Sequence, residues 1–204
     1  MESDHHFRHP GPVTRRQREA LNGHRGSVVW FTGLSGAGKT TLALAVETQL
    51  AQAGCHTFVL DGDNLRQGLC ADLGFSARDR SENIRRAGEA ASLLAEAGII
   101  VLAAFISPFN ADRERLRERL PAGDFIEVHC DCTLEVCEQR DVKGLYRRAR
   151  AGEIPDFTAI SSPYEAPQHP ELVLETGRLP LSACTGLVLA TLRERAVISG
   201  ASLR

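Results

Sequence analysis

The sequence predicts an α/β domain built on a parallel sheet with helices on both faces. Three observations carry this. Apolar, β-rich runs alternate with segments of helical periodicity along most of the chain. A glycine-rich turn, GLSGAGKTT at 33–41, joins the first such run to the first long helical segment. Residues 99–106, IIVLAAFI, form a continuous apolar run of the kind buried on both faces in parallel sheets.

The elements follow in order. Residues 1–12, MESDHHFRHPGP, are polar and proline-bearing and read as a tail, with His5, His6 and His9 solvated in it. Thr14 offers an N-cap to a short helix that Gly23 stops. The first strand covers 28–32. The helix after the glycine turn runs to about 53, with Leu42, Val46 and Leu50 on one face and Gly54 at its end. A strand at 56–60 leads into Asp61-Gly62-Asp63-Asn64, then a short helix at 65–69 and a loop at 72–76. A long helix at 79–97 presents Ile84, Ala87, Ala91 and Leu94 on one face, and Gly98 closes it. After the apolar strand come a charged helix at 111–120, a strand at 125–130 and a helix at 133–140. Residues 141–169 are rich in Arg, Gly and Pro and show little apolar periodicity; an irregular stretch of that length reads as a lid. A strand at 172–175, the fifth, and a helix at about 180–197 complete the pattern. The chain thus divides into a tail and short helix (1–24), one domain (25–198) and a C-terminal tail (199–204).

Composition narrows the class. Hydrophobic content of 43% and charged content of 25% over 204 residues suit one soluble globular domain. A net charge of −2 gives no bulk attraction to nucleic acid. No apolar run approaches the ~20 residues of a membrane span. The N-terminus lacks a signal-peptide core, so the expected location is the cytoplasm. The six cysteines are therefore expected free and buried; Cys130, Cys132 and Cys137 cluster without zinc spacing. Lys39 and Lys143 are the only lysines among 24 basic residues, which draws attention to Lys143 as well as to the glycine turn.

The glycine turn carries chemistry. Gly33-x-x-x-x-Gly38-Lys39-Thr40 satisfies the P-loop pattern between a strand and a helix. Glycines let several N–H groups point inward, and the helix aims its positive end at the same spot. Lys39, expected half exposed, reaches the β/γ-phosphates, and Thr40 offers its hydroxyl to Mg²⁺. Ligands on such sheets gather at the carboxyl ends of the strands, here the glycine turn, 61–64, Ser107-Pro108 and Asp131. The strand at 99–106 ends without an acid, so Asp61 and Asp63 are the carboxylates available: one for the metal, the other to take a proton from an acceptor hydroxyl. An Asx-turn would use the same residues. Arg66 and Arg80 sit where an anionic substrate can be met bidentately. Phe75 and Phe157 lie in polar stretches and read equally as hydrophobic plugs or as platforms for a base.

The segments DGDNLR, GLCADLGF, DRSENIRR, FISPF and KGLYRRARAGEI, with the glycine turn, resemble the adenylyl-sulfate kinase family over about residues 13–177. The resemblance implies a P-loop kinase fold with a five-stranded parallel sheet and a lid, in the free-standing form without a sulfurylase portion. It implies phosphorylation of the 3′-hydroxyl of adenosine 5′-phosphosulfate (adenylyl sulfate) by ATP with Mg²⁺, in a homodimer functionally coupled to ATP sulfurylase. ATP then falls to Gly33, Leu34, Ser35, Gly36, Ala37, Gly38, Lys39, Thr40 and Thr41, with Arg140, Cys184 and Thr185 on its adenine side. Thr40 and Asp61 serve the metal, and Asp63 is the implied base. Adenylyl sulfate falls to Asp63, Arg66, Phe75, Arg80, Asn83, Ile106, Ser107, Lys143, Leu145 and Phe157, the two phenylalanines stacking on its adenine. Ser107 matches a serine considered as a phosphate acceptor; its residue type and place favour a helix N-cap. Val142, Asn110, Ala159 and Ser161-Ser162 depart from the family pattern and bear on the lid more than on the chemistry. Two rivals stand beside this reading: a P-loop kinase for another small molecule or nucleotide, and a nucleotide-binding regulator that transfers nothing.

Overall fold

The structure, a computed structural model, describes residues 11–199, so most of both expected tails lies outside the described residues. Its elements are α1 (Arg15–Asn22), β1 (Ser27–Thr32), α2 (Lys39–Gln52), β2 (Thr57–Asp61), α3 (Gly62–Leu65), α4 (Ala77–Glu96), β3 (Ile100–Ala104), α5 (Asn110–Arg119), β4 (Phe125–Asp131), α6 (Leu134–Gln139), α7 (Leu145–Arg150), β5 (Leu172–Glu175) and α8 (Leu181–Glu194). The five strands form one parallel sheet in the order β2-β3-β1-β4-β5.

β1 is the middle strand, and all six of its residues are buried. Its alternation splits the core. Val29 and Phe31 point to one face, with Leu42, Val46 and Leu50 of α2 and Val188 and Leu192 of α8. Val28 and Trp30 point to the other, with Ile84, Ala87 and Ala91 of α4 and Leu116 of α5. The apolar stripes expected on α2 and α4 are thus the ones buried. All six cysteines are free and buried, as their type and context suggest. Burial pushes the Cys130 and Cys137 thiols up to about 12, which keeps them protonated and inert.

Local chemistry sets the boundaries. Thr14 and Gln17 close a reciprocal capping box on α1, and Gly23 ends it with a left-handed backbone. The short helix expected at 65–69 is instead α3, which begins at Gly62. The Asp61 side chain accepts hydrogen bonds from the N–H groups of Asp63 and Asn64, and this cap starts the helix early. The irregular segment at 141–169 contains α7, which its periodicity did not announce. Only Tyr146 and Ala149 of α7 are buried, and its other surface is arginine-rich.

Arg113 anchors the loop after β3. It is 2% exposed. It donates to Glu127 of β4 at 2.7 Å and to the Glu165 carbonyl at 2.7 Å, and it also holds the Ser107 carbonyl and Asn110. Removing it leaves Glu127 buried with Arg117 as its remaining cation, 3.1 Å away. Arg113→Met should therefore cost about 3 kcal/mol, the low end for a broken buried pair. Urea unfolding of the variant beside wild type measures it.

Candidate active site

The glycine turn leaves β1 through positions where a side chain has no room. A Cβ on Gly33 would lie 2.6 Å from the Cys130 carbonyl, and one on Gly36 would lie 2.8 Å from the Cys137 carbonyl; both have positive φ. Lys39 is not half exposed as expected. It is 8% exposed, and its Nζ donates to the carbonyls of Gly33 (3.0 Å) and Leu34 (2.7 Å) of its own loop. Desolvation is the largest influence on it and lowers its pKa from 10.5. The physical reason is that the Gly33 and Leu34 carbonyls of the loop point at the ammonium and take its hydrogen bonds inside the packed turn.

Next to it the acidic turn divides its work. One Asp61 oxygen caps α3, and the other accepts from the Thr40 hydroxyl at 2.7 Å. The turn and site readings of Asp61 therefore hold together in one carboxylate. Asp63 is left over for the cavity, where its carboxylate meets the ammonium of Lys143.

Both groups open onto a cavity of about 1050 Å³ at the carboxyl ends of the strands. Ser35, Gly36, Ala37, Gly38, Lys39, Thr40 and Thr41 form one wall, and Arg140 and Cys184 extend it toward exposed Leu179 and Leu181. The rest of the lining comes from Asp61, Asp63, Arg66, Phe75, Arg80, Asn83, Ile106 and Ser107, with Lys143, Leu145 and Phe157 from the 141–169 segment. Gly33, Leu34 and Thr185 are not on the cavity wall. Gly33 and Leu34 turn their carbonyls to Lys39, and the Thr185 hydroxyl bonds the Leu181 carbonyl within its own helix.

The acceptor side is held by arginines acting on backbone. Arg66 donates to the carbonyls of Leu73 and Gly74 and lies 4.3 Å from the centre of the Phe75 ring. Arg80 donates to the Phe75 carbonyl at 2.9 Å and to the Asp156 carbonyl at 2.8 Å. It thereby ties the two phenylalanine-bearing segments together. Phe75 is 56% exposed, whereas Phe157 is 7% exposed and packs edge-on against Tyr146 at 5.1 Å. Phe157 is thus both plug and cavity wall, and Phe75 is an open face.

Ser107 is not a helix N-cap: Phe109 holds that position before α5. The Ser107 hydroxyl accepts from Trp30 Nε1 at 3.0 Å and donates to Thr32 Oγ1 at 2.9 Å, in a residue 1% exposed. Its backbone has φ +40°, a conformation this bridge and Arg113 hold in place. So buried and engaged, it is a structural link and no open nucleophile.

Comparison with known proteins settles the class. The model of the adenylylsulphate kinase family matches residues 25–175. An adenylyl-sulfate kinase of Acaryochloris marina is 59% identical over 99% of this chain and 98% of its own length. One from Marinobacter nauticus is 55% identical over 93% of this chain and 96% of its own. The structure of the Mycobacterium tuberculosis APS kinase in complex with AMPPNP and APS superposes with a TM-score of 0.79 at 47% identity, covering 83% of this chain and 99% of that one. The chain belongs to the adenylylsulphate kinase family. It is a kinase that makes 3′-phosphoadenosine 5′-phosphosulfate from adenylyl sulfate, in sulfate assimilation. A gluconokinase of Sinorhizobium meliloti, 19% identical with a TM-score of 0.56, shares the fold alone. Among the described residues no helix is long and apolar enough to cross a membrane.

In this kinase, residues with no motif of their own also shape the site. Tyr146 donates its hydroxyl to the Ser35 carbonyl at 2.9 Å, fastening α7 to the glycine turn. Tyr164 meets Thr32 at 3.1 Å and stacks on His129. A tyrosine inside an arginine-rich lid was the one available signal for Tyr146.

Two tests follow. Between its lowered folded pKa and 10.5, Lys39 binds fewer protons folded than unfolded, so the free kinase should gain stability as pH rises through that window. Lys39→Met should remove that rise in urea melts and cut phosphoryl transfer by about 10²–10³. Phe75→Ala should weaken adenylyl sulfate binding by ~1–3 kcal/mol with the melting temperature unchanged. Phe157→Ala should also lower stability by about 3 kcal/mol, because its ring is core. Calorimetric titration and thermal melts separate the two.

Proposed function

We propose that the kinase divides its reaction between the two carboxylates of the 61–63 turn, Asp61 for the metal and Asp63 for the proton. The observation that carries this is the unequal commitment of the pair. Both Asp61 oxygens are engaged, one of them with Thr40, while Asp63 faces the cavity with a single lysine partner. Thr40 and Asp61 are hard oxygen donors beside the phosphate cradle, the set that Mg²⁺ prefers. Mg²⁺ bound there would supply neutralisation of the charge on the phosphates of ATP.

The remaining roles fall to this chain's own groups. The glycine turn's N–H groups hold the phosphates of ATP, and Lys39 exchanges its carbonyl partners for phosphate oxygens. Leu179, Leu181 and Arg140 offer an apolar and cationic surface for the adenine of ATP. Adenylyl sulfate lies between Phe75 and Phe157, with Arg66 and Asn83 beside it. Arg80 holds the slot at its width through its two carbonyl bonds. Asp63 accepts the proton of the 3′-hydroxyl as that oxygen bonds the γ-phosphorus and the bridging P–O bond to ADP breaks. A ribose hydroxyl is nearly un-ionised at neutral pH, so a carboxylate at this place has work to do. An acceptor phosphate, as in a nucleoside monophosphate kinase, would need none.

Incubation with MgATP and adenylyl sulfate should give ADP and a monoester whose phosphorus couples to the ribose 3′-proton in NMR. Asp63→Asn should abolish turnover with ATP affinity nearly unchanged, whereas Asp61→Asn should raise the Mg²⁺ requirement. A new diphosphate at the 5′ end, or a reverse pattern in the two variants, would overturn the assignment.

A further inference from the structure

Phe109 stands at the N-cap of α5 and has no side-chain oxygen to offer the first N–H groups of that helix. Glu165 supplies one from 55 positions away: its carboxylate accepts from the Asn110 N–H at 2.7 Å. The Glu165 backbone closes on the same turn. Its N–H donates to the Pro108 carbonyl at 2.8 Å, and its carbonyl accepts from Arg113 at 2.7 Å. One residue near the far end of the 141–169 segment is therefore tied three times to the turn between β3 and α5. That turn carries Ile106, Ser107 and Pro108, which line the cavity. The 141–169 segment carries Phe157, which lines it too.

The neighbouring Tyr164 fixes the same turn from the end of β1. Thr32 Oγ1 has one proton, which goes to the Ile106 carbonyl at 2.8 Å. Its acceptor directions are filled by the Ser107 hydroxyl at 2.9 Å and the Tyr164 hydroxyl at 3.1 Å, so Tyr164 is the donor of its bond. On its other side, Tyr164-Glu165 is the exit of the closed turn that carries Phe157, whose own N–H donates to Ser161 Oγ at 2.9 Å. A shift of this pair is passed to Phe157 in one direction and to Ser107 in the other. The Glu165 side chain is exposed and fills no space in the core. Its contribution is the bond to Asn110.

We propose that Glu165 is a positioning residue for the acceptor: by capping α5, its carboxylate sets the distance between the Ile106–Pro108 turn and Phe157. This rests on the reading, given above, that adenylyl sulfate lies against Phe157. Glu165 itself is not on the cavity wall. It acts through Asn110 and the turn before it, and it acts on one substrate. The glycine turn is shaped on the other flank of β1, against the carbonyls of Cys130 and Cys137, where none of the Glu165 bonds reaches. ATP binding is therefore indifferent to this cap, whereas the acceptor meets a slot whose two sides the cap holds together. A glutamine can replace the glutamate, because its amide oxygen accepts the same N–H bond. An aspartate cannot, because it withdraws the oxygen by one carbon.

The test measures KM for adenylyl sulfate and for ATP in wild type, Glu165→Ala, Glu165→Asp and Glu165→Gln, each well below its own melting temperature. Glu165→Ala and Glu165→Asp should raise KM for adenylyl sulfate roughly five-fold or more and leave KM for ATP within roughly two-fold. Glu165→Gln should stay within roughly two-fold of wild type in both. If Glu165→Ala does not fold, Glu165→Asp carries the same comparison. The emission of Trp30, the chain's single tryptophan, gives a readout besides activity, because its indole N–H is bonded to Ser107. It should shift in the Ala and Asp variants and hold in the Gln variant. An equal rise in both KM values, both KM values unchanged with stability alone lowered, or a Gln variant as impaired as Ala would overturn the proposal. So would a raised KM for adenylyl sulfate with the Trp30 emission unmoved, since the effect would then not pass through Ser107. Phe75→Ala is the control for the placement of adenylyl sulfate. If it leaves binding of that substrate unchanged, the reading of the acceptor site fails; if it weakens binding while the Glu165 variants do not, the role of Glu165 alone fails.

Discussion

The burial of β1 on both faces is the constraint on which the site depends. A strand with no solvent face must sit in the middle of a parallel sheet, and its carboxyl end must open where the other strands end. The chain leaves it through a turn so close to β4 and α6 that Gly33 and Gly36 lie against the carbonyls of Cys130 and Cys137. The cradle is therefore shaped by the same packing that fills the core. The link extends sideways. Trp30 and Thr32 of β1 hold Ser107 at the end of the neighbouring strand, and Arg113 holds the same residue from α5. Placement of the acceptor wall is thus inherited from the register of the sheet, in which Asp61 stands beside Ala104 and Phe31 beside the same residue from the other side.

The cavity gathers charges that water would otherwise solvate, and the chain's own backbone carbonyls hydrogen-bond them. Lys39 bonds two carbonyls of its loop. Arg66 and Arg80 together bond four more across the acceptor loop and the lid. Neutral carbonyls are weaker partners for a cation than phosphate or sulfate. A lysine or arginine so placed is kept from being an isolated buried charge, yet gains when an anion arrives.

The sheet was legible because its strands are short apolar runs between helices with clear stripes, and two-sided burial leaves no polar alternation to confuse the pattern. The phosphate cradle was legible for another reason: glycines at fixed offsets answer a steric demand that few other residues meet. What escaped were features whose residue types suit several local conformations, and one set by a contact distant in sequence. α3 begins at Gly62 because a carboxylate caps it, and an Asp is compatible with many turns. α7 is a short helix whose stability comes from Tyr146 and Phe157, not from its own arginine-rich periodicity. The burial of Lys39 depends on where two carbonyls point. The structural role of Ser107 rests on Trp30, 77 positions earlier. No local window around Ser107 contains that tryptophan.

The irregular segment at 141–169 is built in two parts that are attached in different ways. Its inner part is fastened. Tyr146 bonds the glycine turn, Phe157 is core, and the turn after Phe157 closes on itself through bonds from Ile160, Ser161 and Ser162 to the Phe157 carbonyl. Asp156 and Ala159 keep positive φ on either side of Phe157 and Thr158, a strain that persists only where surroundings fix it. The rim at 141–144 is attached differently. Val142 is 97% exposed, Asp141 turns its carboxylate to the N–H groups of Leu145 and Arg147 in α7, and both border the cavity beside Lys143. A wall that must keep an aromatic slot at one width belongs on the fastened part. The inner part is thus tied to the glycine turn and the core, whereas Val142 on the rim lies almost wholly in solvent.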